Sequence, residues 1–172
     1  RNAMSFSIKG KTAIVTGGAH GIGLAIGQHF ADRGANVVFA DIDEAQLKNE
    51  IGPNQDGTNI RYFAGDLRQK LTLANLLSAT IDAFDRVDIL VNASRQIMPS
   101  DPLNADDDAV ELLLEQNLMT ALRLSQLVAK RMIRQAEGQA EGTAGTIVNL
   151  SSIAARRTNP HLLAYSVSTA AL

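Results

Sequence analysis

The chain has 172 residues, a formal net charge of −2, and 45% hydrophobic and 20% charged residues, an ordinary balance for one soluble globular domain with a real core. Nothing in it is basic enough to suggest nucleic acid, and an aromatic content of 4% weakens any surface built on base or sugar stacking. Cysteine is absent, which excludes disulfides, thiolate metal sites and thiol nucleophiles; neither an apolar leader nor an apolar run of about 18 residues occurs, so a cytoplasmic protein without a membrane span is expected.

Arg1-Asn2-Ala3 ahead of Met4 reads as a vector-derived scar, leaving 4–172 as a single domain. The segment 11–16 reads as a buried first strand, with Thr12-Ala13-Ile14-Val15 at its centre. Thr16-Gly17-Gly18-Ala19-His20-Gly21-Ile22-Gly23 follows at once, and Ile22, Ile26 and Phe30 then recur at helical spacing. A phosphate can approach the backbone of such a turn closely, because glycine carries no Cβ and tolerates unusual φ/ψ. The helix start then offers the anion unpaired N–H groups and a positive dipole end. The spacing T-G-x-x-x-G-x-G is not the general G-x-G-x-x-G of dinucleotide folds, and alone it can be no more than a tight turn. Gly10-Lys11-Thr12 imitates the end of a P-loop but precedes the strand instead of following it, which disfavours a nucleoside triphosphatase.

The helix over 22–33 is stopped by Gly34, the residue type expected just past a helix C-terminus. A second strand, 36–40, ends at Asp41. A short helix over 43–51 leads into the loop Gly52-Pro53-Asn54-Gln55-Asp56-Gly57, and a third strand over 60–64 ends near Asp66. Leu73, Leu77, Ile81 and Phe84 mark the next helix face. A fourth strand over 87–91 is closed by Asn92-Ala93. One long helix is expected over 105–135, with Leu113, Leu124, Val128 and Met132 on its apolar side, then a flexible stretch over 136–142. A fifth strand over 146–150 leads into Ser151-Ser152, and a last helix begins near Leu163. Strands alternating with helices across short joins predict an α/β fold, a Rossmann-like, doubly wound parallel sheet with helices on both faces.

Asp41 stands about 20 residues beyond the glycine turn, where a carboxylate can accept hydrogen bonds from both adenosine ribose hydroxyls and repel a 2′-phosphate. This favours NAD over NADP; a helix cap or a solvated loop carboxylate is the competing reading. His20 occupies a turn that holds no Arg or Lys, which also fits NAD, and a plain surface histidine is its alternative. Asp66 is either a partner of the adenine amino group or the N-cap of the helix after it. Asn92-Ala93 should lie beside the glycine turn, the Asn tying neighbouring strand ends together. Ser152 falls at the carboxyl edge of the sheet, where open α/β folds bind ligands. Tyr165 starts the last helix, and a phenol, with an ordinary pKa near 10, needs a positive neighbour to act as acid or base near neutral pH. Position 169 shares its helix face and holds threonine, which carries no charge. Taken singly, a Ser-Ser pair and a helix-start Tyr also have ordinary structural uses. No G-x-S-x-G elbow supports a hydrolase, and His20, His29 and His161 lack metal-ligand spacing, so no metal is expected.

Together these residues resemble the short-chain dehydrogenase/reductase family along almost the whole chain. The glycine turn has that family's own form. Asp41-Ile42, Asp66-Leu67, Asn92-Ala93, Asn117 and Ile147-Val148-Asn149-Leu150-Ser151-Ser152 fall in family order, and Ser152 and Tyr165 are thirteen positions apart, as is usual there. The resemblance implies NAD lying across the strand ends. Gly17, His20, Gly21, Ile22 and Gly23 would take the pyrophosphate side, Asp41, Ile42, Asp66 and Leu67 the adenosine, and Asn92, Ala93 and Tyr165 the remainder. It implies that Tyr165 moves the proton of a substrate alcohol or ketone, Ser152 hydrogen-bonds the same oxygen, and Asn117 holds a water of the proton relay. The reaction would be hydride transfer between nicotinamide and a small secondary alcohol or ketone.

Three departures from the family stand out. Thr169 occupies the position of a lysine that binds the nicotinamide ribose and lowers the tyrosine pKa; threonine can keep a ribose hydrogen bond but supplies no charge. Ser94 replaces the usual glycine after Asn92-Ala93. The chain also ends where family members run on into further strands and a substrate lid, so the C-terminal strands are expected to be absent and the edge of strand five uncovered. The rival readings are therefore a catalytically silent NAD-binding module or subunit partner, and a purely structural homologue. Pairing of the long and Tyr-bearing helices across a two-fold axis, giving a homodimer or homotetramer, is a further implication of the resemblance.

Overall fold

The computed structural model describes residues 7–52, 56–139, 142–157 and 159–172. The scar at Arg1-Asn2-Ala3, the centre of the 52–57 loop, and Ala140 and Glu141 of the 136–142 stretch lie outside the described residues.

Five strands, β1 (Thr12–Thr16), β2 (Asn36–Asp41), β3 (Ile60–Ala64), β4 (Ile89–Asn92) and β5 (Thr146–Asn149), form one parallel sheet in the order β3-β2-β1-β4-β5. The connecting helices are α1 (Gly21–Asp32), α2 (Glu44–Ile51), α3 (Lys70–Phe84), α4 (Ala109–Leu113), α5 (Thr120–Gln135) and α6 (Leu163–Ala171). The strand order turns back between β1 and β4. In an open α/β sheet that reversal leaves a crevice outside the carboxyl ends of the strands.

Neighbouring side chains of a strand face opposite ways, and the core follows that period. Ile14, Val38 and Leu90 pack with Leu73 and Leu76 of α3 and Leu124 and Val128 of α5. Val15, Val37, Phe39 and Val91 face the other layer, against Leu24, Ile26 and Phe30 of α1 and Leu47 of α2. Buried side chains of this size each contribute about 1.5–3 kcal/mol by leaving water. Gly27 lets α1 lie flat on the sheet, because a Cβ there would run into the Phe39 ring.

The long helix departs from expectation. It starts at Ala109, and a π-helical segment, Leu114–Met119, separates α4 from α5. Residues 105–108 stay outside it because the side chains of this stretch compete for its backbone. Asp107 accepts the N–H groups of both Asp101 and Ala109, and Asn104 Oδ1 accepts that of Asp106. Local bonds of this kind favour turns over helix. The extra residue of the π-turn sits where Asn117 points into the protein, 3% exposed. β5 forms one edge of the sheet, and all four of its residues are exposed. No helix among the described residues is long and apolar enough to cross a membrane.

Candidate functional site

A cleft of about 600 Å³ lies at the carboxyl ends of β1, β2 and β4. Its floor is the glycine turn. Gly17 has φ +66°, and a Cβ there would stand 2.9 Å from the main-chain oxygen of Ala93 and 3.0 Å from Ser94 Cα. A Cβ on Gly23 would collide with the main-chain oxygen of Gly17, whereas Gly21, φ +49°, has nothing within 4 Å of that position. The turn is thus packed tightly on its inner side and open on its outer side, the shape of a cradle for a phosphate. His20 caps α1 without a side-chain cap bond, so the first-turn N–H groups of a twelve-residue helix face the same opening. Thr16 clamps the arrangement: its Oγ1 accepts the N–H groups of Ala93 and Ser94, both at 3.1 Å. Sequence reasoning assigned Thr16 no role; its place at the end of β1 was the available signal.

At the far end of the cleft, Asp41 Oδ2 accepts the Ala19 N–H at 3.1 Å and Oδ1 accepts the Asp43 N–H at 3.1 Å. The carboxylate caps no helix. Asp43 does that for α2, accepting the Gln46 N–H, while its other oxygen stands 3.0 Å from His20 Nε2. The Gln46 N–H first, and His20 next, hold the Asp43 carboxyl below its ordinary range. His20 is therefore a surface histidine with a partner, tying the glycine turn to the loop after β2. Ile42 is 65% exposed beside the cleft.

Asp66 does not cap α3, whose N-cap residue is Gln69. A fork from Arg68, Nε to Oδ1 at 2.9 Å and Nη2 to Oδ2 at 2.8 Å, engages Asp66 and holds its carboxyl below the usual range. Arg68, not Asp66, lines the cleft. Leu67 is buried among Leu73 and Leu76 of the core, so only its main chain is left for a ligand. Asn92 is buried as well: its Nδ2 donates to Asn149 Oδ1 at 2.8 Å and Ser125 Oγ at 3.1 Å, joining the ends of β4 and β5. Strand tying is the use the structure shows for it.

None of Ser152, Asn117 and Tyr165 lines the cleft; α6, which carries Tyr165, packs against the turn that follows Ser152 and against the π-turn that holds Asn117. Ser152 is half-buried, and its Oγ accepts the Ala154 N–H at 3.1 Å, capping a short 3-10 turn, Ile153–Ala155, against which α6 packs. Tyr165, 4% exposed, packs with Ala109, Leu113 and Ala164. Asn117 grips the loop after β4: its Oδ1 accepts the Gln96 N–H at 2.8 Å, and its Nδ2 donates to Gln96 O at 2.9 Å and Ser168 Oγ at 3.0 Å. Both amide hydrogens are committed, which leaves one lone pair of Oδ1 for a water. Thr169 is 5% exposed, and its hydroxyl donates to the main-chain oxygen of Tyr165. That hydroxyl's hydrogen is spent on its own helix, so toward a ribose hydroxyl Thr169 could act only as an acceptor. Ser151 Oγ donates to Thr169 O at 2.7 Å, tying the end of β5 to α6.

A family model described as short chain dehydrogenase matches residues 11–172. An uncharacterized oxidoreductase of Thermotoga maritima is 30% identical over 166 residues, covering 96% of this chain and 62% of that protein. L-fucose dehydrogenase of Rattus norvegicus is 34% identical over 145 residues, 84% of this chain and 50% of that protein. Galactitol 2-dehydrogenase of Agrobacterium fabrum is 32% identical over 169 residues, 96% of this chain and 61% of that protein. The chain spans 50–62% of the length of these three curated relatives. The crystal structure of the apo form of LigO from Sphingobium sp. strain SYK-6 superposes with a TM-score of 0.84 at 24% identity, over 97% of this chain and 60% of that one, a likeness of fold.

Proposed function

This chain belongs to the short-chain dehydrogenase family, and on that premise we propose that it is the dinucleotide-binding part of an NAD-dependent oxidoreductase acting on a secondary alcohol or the corresponding ketone. The carrying observation is the cradle between β1 and β4: open space beside Gly21, a wall at Ala93 and Ser94, and the Asp41 carboxylate one strand away. That geometry fits a dinucleotide. Gly17 and the α1 N-terminus would hold the pyrophosphate, and Asp41 the adenosine ribose, where its charge disfavours a 2′-phosphate. Bound nicotinamide supplies the hydride chemistry.

The chain's own residues supply the proton and the orientation. The Tyr165 phenol is the group that gives or takes the proton of the substrate oxygen. The Ser152 hydroxyl, whose oxygen already accepts from Ala154, has its hydrogen free to donate to that oxygen and fix its position. Asn117 holds the loop after β4 in place through Gln96 and offers one acceptor to water. The reading carries a small-molecule substrate and a homodimer or homotetramer built on α5 and α6, which size-exclusion chromatography would read.

Titration with NADH and NADPH, followed by nucleotide fluorescence, tests the proposal. Tight NADH and weak NADPH binding is expected; binding of neither nucleotide would end it. A second reading, a silent NAD-binding module, draws on one observation: the Thr169 hydroxyl is turned back on its own helix and brings no charge to Tyr165. It expects NADH binding with no turnover across a panel of alcohols and ketones.

A further inference from the structure

Three basic side chains line the cleft: His20, Arg68 and Arg95. Two are committed. His20 is bonded to Asp43, and Arg68 is forked onto Asp66. The Arg95 guanidinium has no hydrogen-bond or ion-pair partner among the described residues.

Its backbone, by contrast, is held on both sides. The preceding residue, Ser94, gives its N–H to Thr16 and lays its Cα against Gly17. The following residue, Gln96, is clasped through both N–H and C=O by Asn117. An exposed arginine normally loses much conformational freedom when it binds an ion, and a fixed backbone lowers that cost. Arg95 is thus a rooted, uncommitted cation one residue from the wall of the phosphate cradle. The acidic residue lining the cleft, Asp41, is at the opposite end and occupied with main-chain N–H groups.

We propose that Arg95 is a phosphate-binding residue of the cleft, its guanidinium taking an oxygen of the dinucleotide pyrophosphate. The proposal rests on the dinucleotide reading above. Guanidinium matches a phosphate oxygen pair in geometry and stays charged at any working pH. Because the group is exposed, the interaction is sensitive to salt.

The test compares wild type with Arg95→Gln and Arg95→Lys, using NADH and ADP-ribose as probes, read by nucleotide fluorescence and calorimetry. Thermal melts check that both variants fold. Arg95→Gln should weaken both probes about tenfold at low ionic strength, with the gap closing in concentrated salt, and Arg95→Lys, which keeps the charge without the fork, should recover only part of the loss. Equal affinity of wild type and Arg95→Gln for NADH overturns the proposal, including the case in which only a substrate KM moves. A loss confined to NADH, with ADP-ribose unaffected, also overturns it, since the contact would then lie at the nicotinamide. Failure of wild type to bind either probe removes the dinucleotide reading itself, and this proposal with it.

Discussion

Thr169 Oγ1 donates to the main-chain oxygen of Tyr165 across 2.9 Å, and a second, longer contact reaches Ser166 O at 3.3 Å. Threonine inside a helix commonly bonds back in this way. The consequence for the site is specific. The side chain one turn beyond the phenol is buried, neutral and turned inward, so the proton transfer proposed for Tyr165 would have no cation from position 169. Thr169→Lys should therefore raise kcat on any secondary alcohol or ketone that reacts, by a factor within the 10²–10⁴ range of acid–base catalysis. Thr169→Val, which removes only the helix bond, should leave kcat nearly unchanged. Steady-state kinetics with a reactive substrate decide the matter: a lysine variant no faster than wild type removes the proton-transfer assignment.

Gly23 lies where α1 meets the turn, and a methyl group there has no room beside the main-chain oxygen of Gly17. That oxygen belongs to the tight turn itself and cannot swing aside as a side chain would. Gly23→Ala should destabilise the fold by about 1–3 kcal/mol, the usual cost of overpacking, and abolish NADH binding by shifting the cradle. Chemical denaturation and NADH titration give the two readings. Unaltered nucleotide affinity in a folded variant would show that the turn does not shape the phosphate site.

These two positions also mark how far the sequence could be read. The glycine spacing and the strand ends at Asp41 and Asn92 placed the sheet and its cleft correctly, because each depends on local chemistry: φ freedom, period-two burial, a helix start. What escaped depends on contacts between distant segments. Thr16 holding Ala93 and Ser94, and Asn117 clasping Gln96, join residues 21 to 78 positions apart. The break in the long helix escaped too, since its apolar spacing continues across the π-turn. Arg68 taking Asp66 was within reach, as the two lie only two positions apart.

Asp41 serves two ends, bracing the turn through Ala19 and the following loop through Asp43. Asp41→Asn keeps an acceptor for one of those N–H groups and removes the charge. The ratio of NADPH to NADH dissociation constants should fall about tenfold, roughly one charge-assisted hydrogen bond lost on one side and one repulsion relieved on the other. Paired fluorescence titrations measure it, and an unchanged ratio would mean that nucleotide selection lies elsewhere in the cleft.

At the opposite end of β1, Asp88 is 7% exposed and accepts the Thr12 N–H at 2.9 Å and a fork from Arg86 at 2.7 and 2.8 Å. Burial pushes its carboxyl up, but Arg86 and the Thr12 N–H outweigh burial and hold it below the ordinary value. A carboxyl depressed in the folded state adds stability that is fully present above its unfolded pKa, about 3.9, and is lost as pH falls through the folded value. Asp88→Asn should cost about 1–3 kcal/mol at pH 7, the range for a lost charged hydrogen bond, and the gap to wild type should narrow as pH drops below about 4. Urea unfolding at pH 7 and pH 3 reads both quantities. A gap that stays constant across that window would mean that Asp88 holds β1 by shape alone, with its charge contributing nothing to the fold.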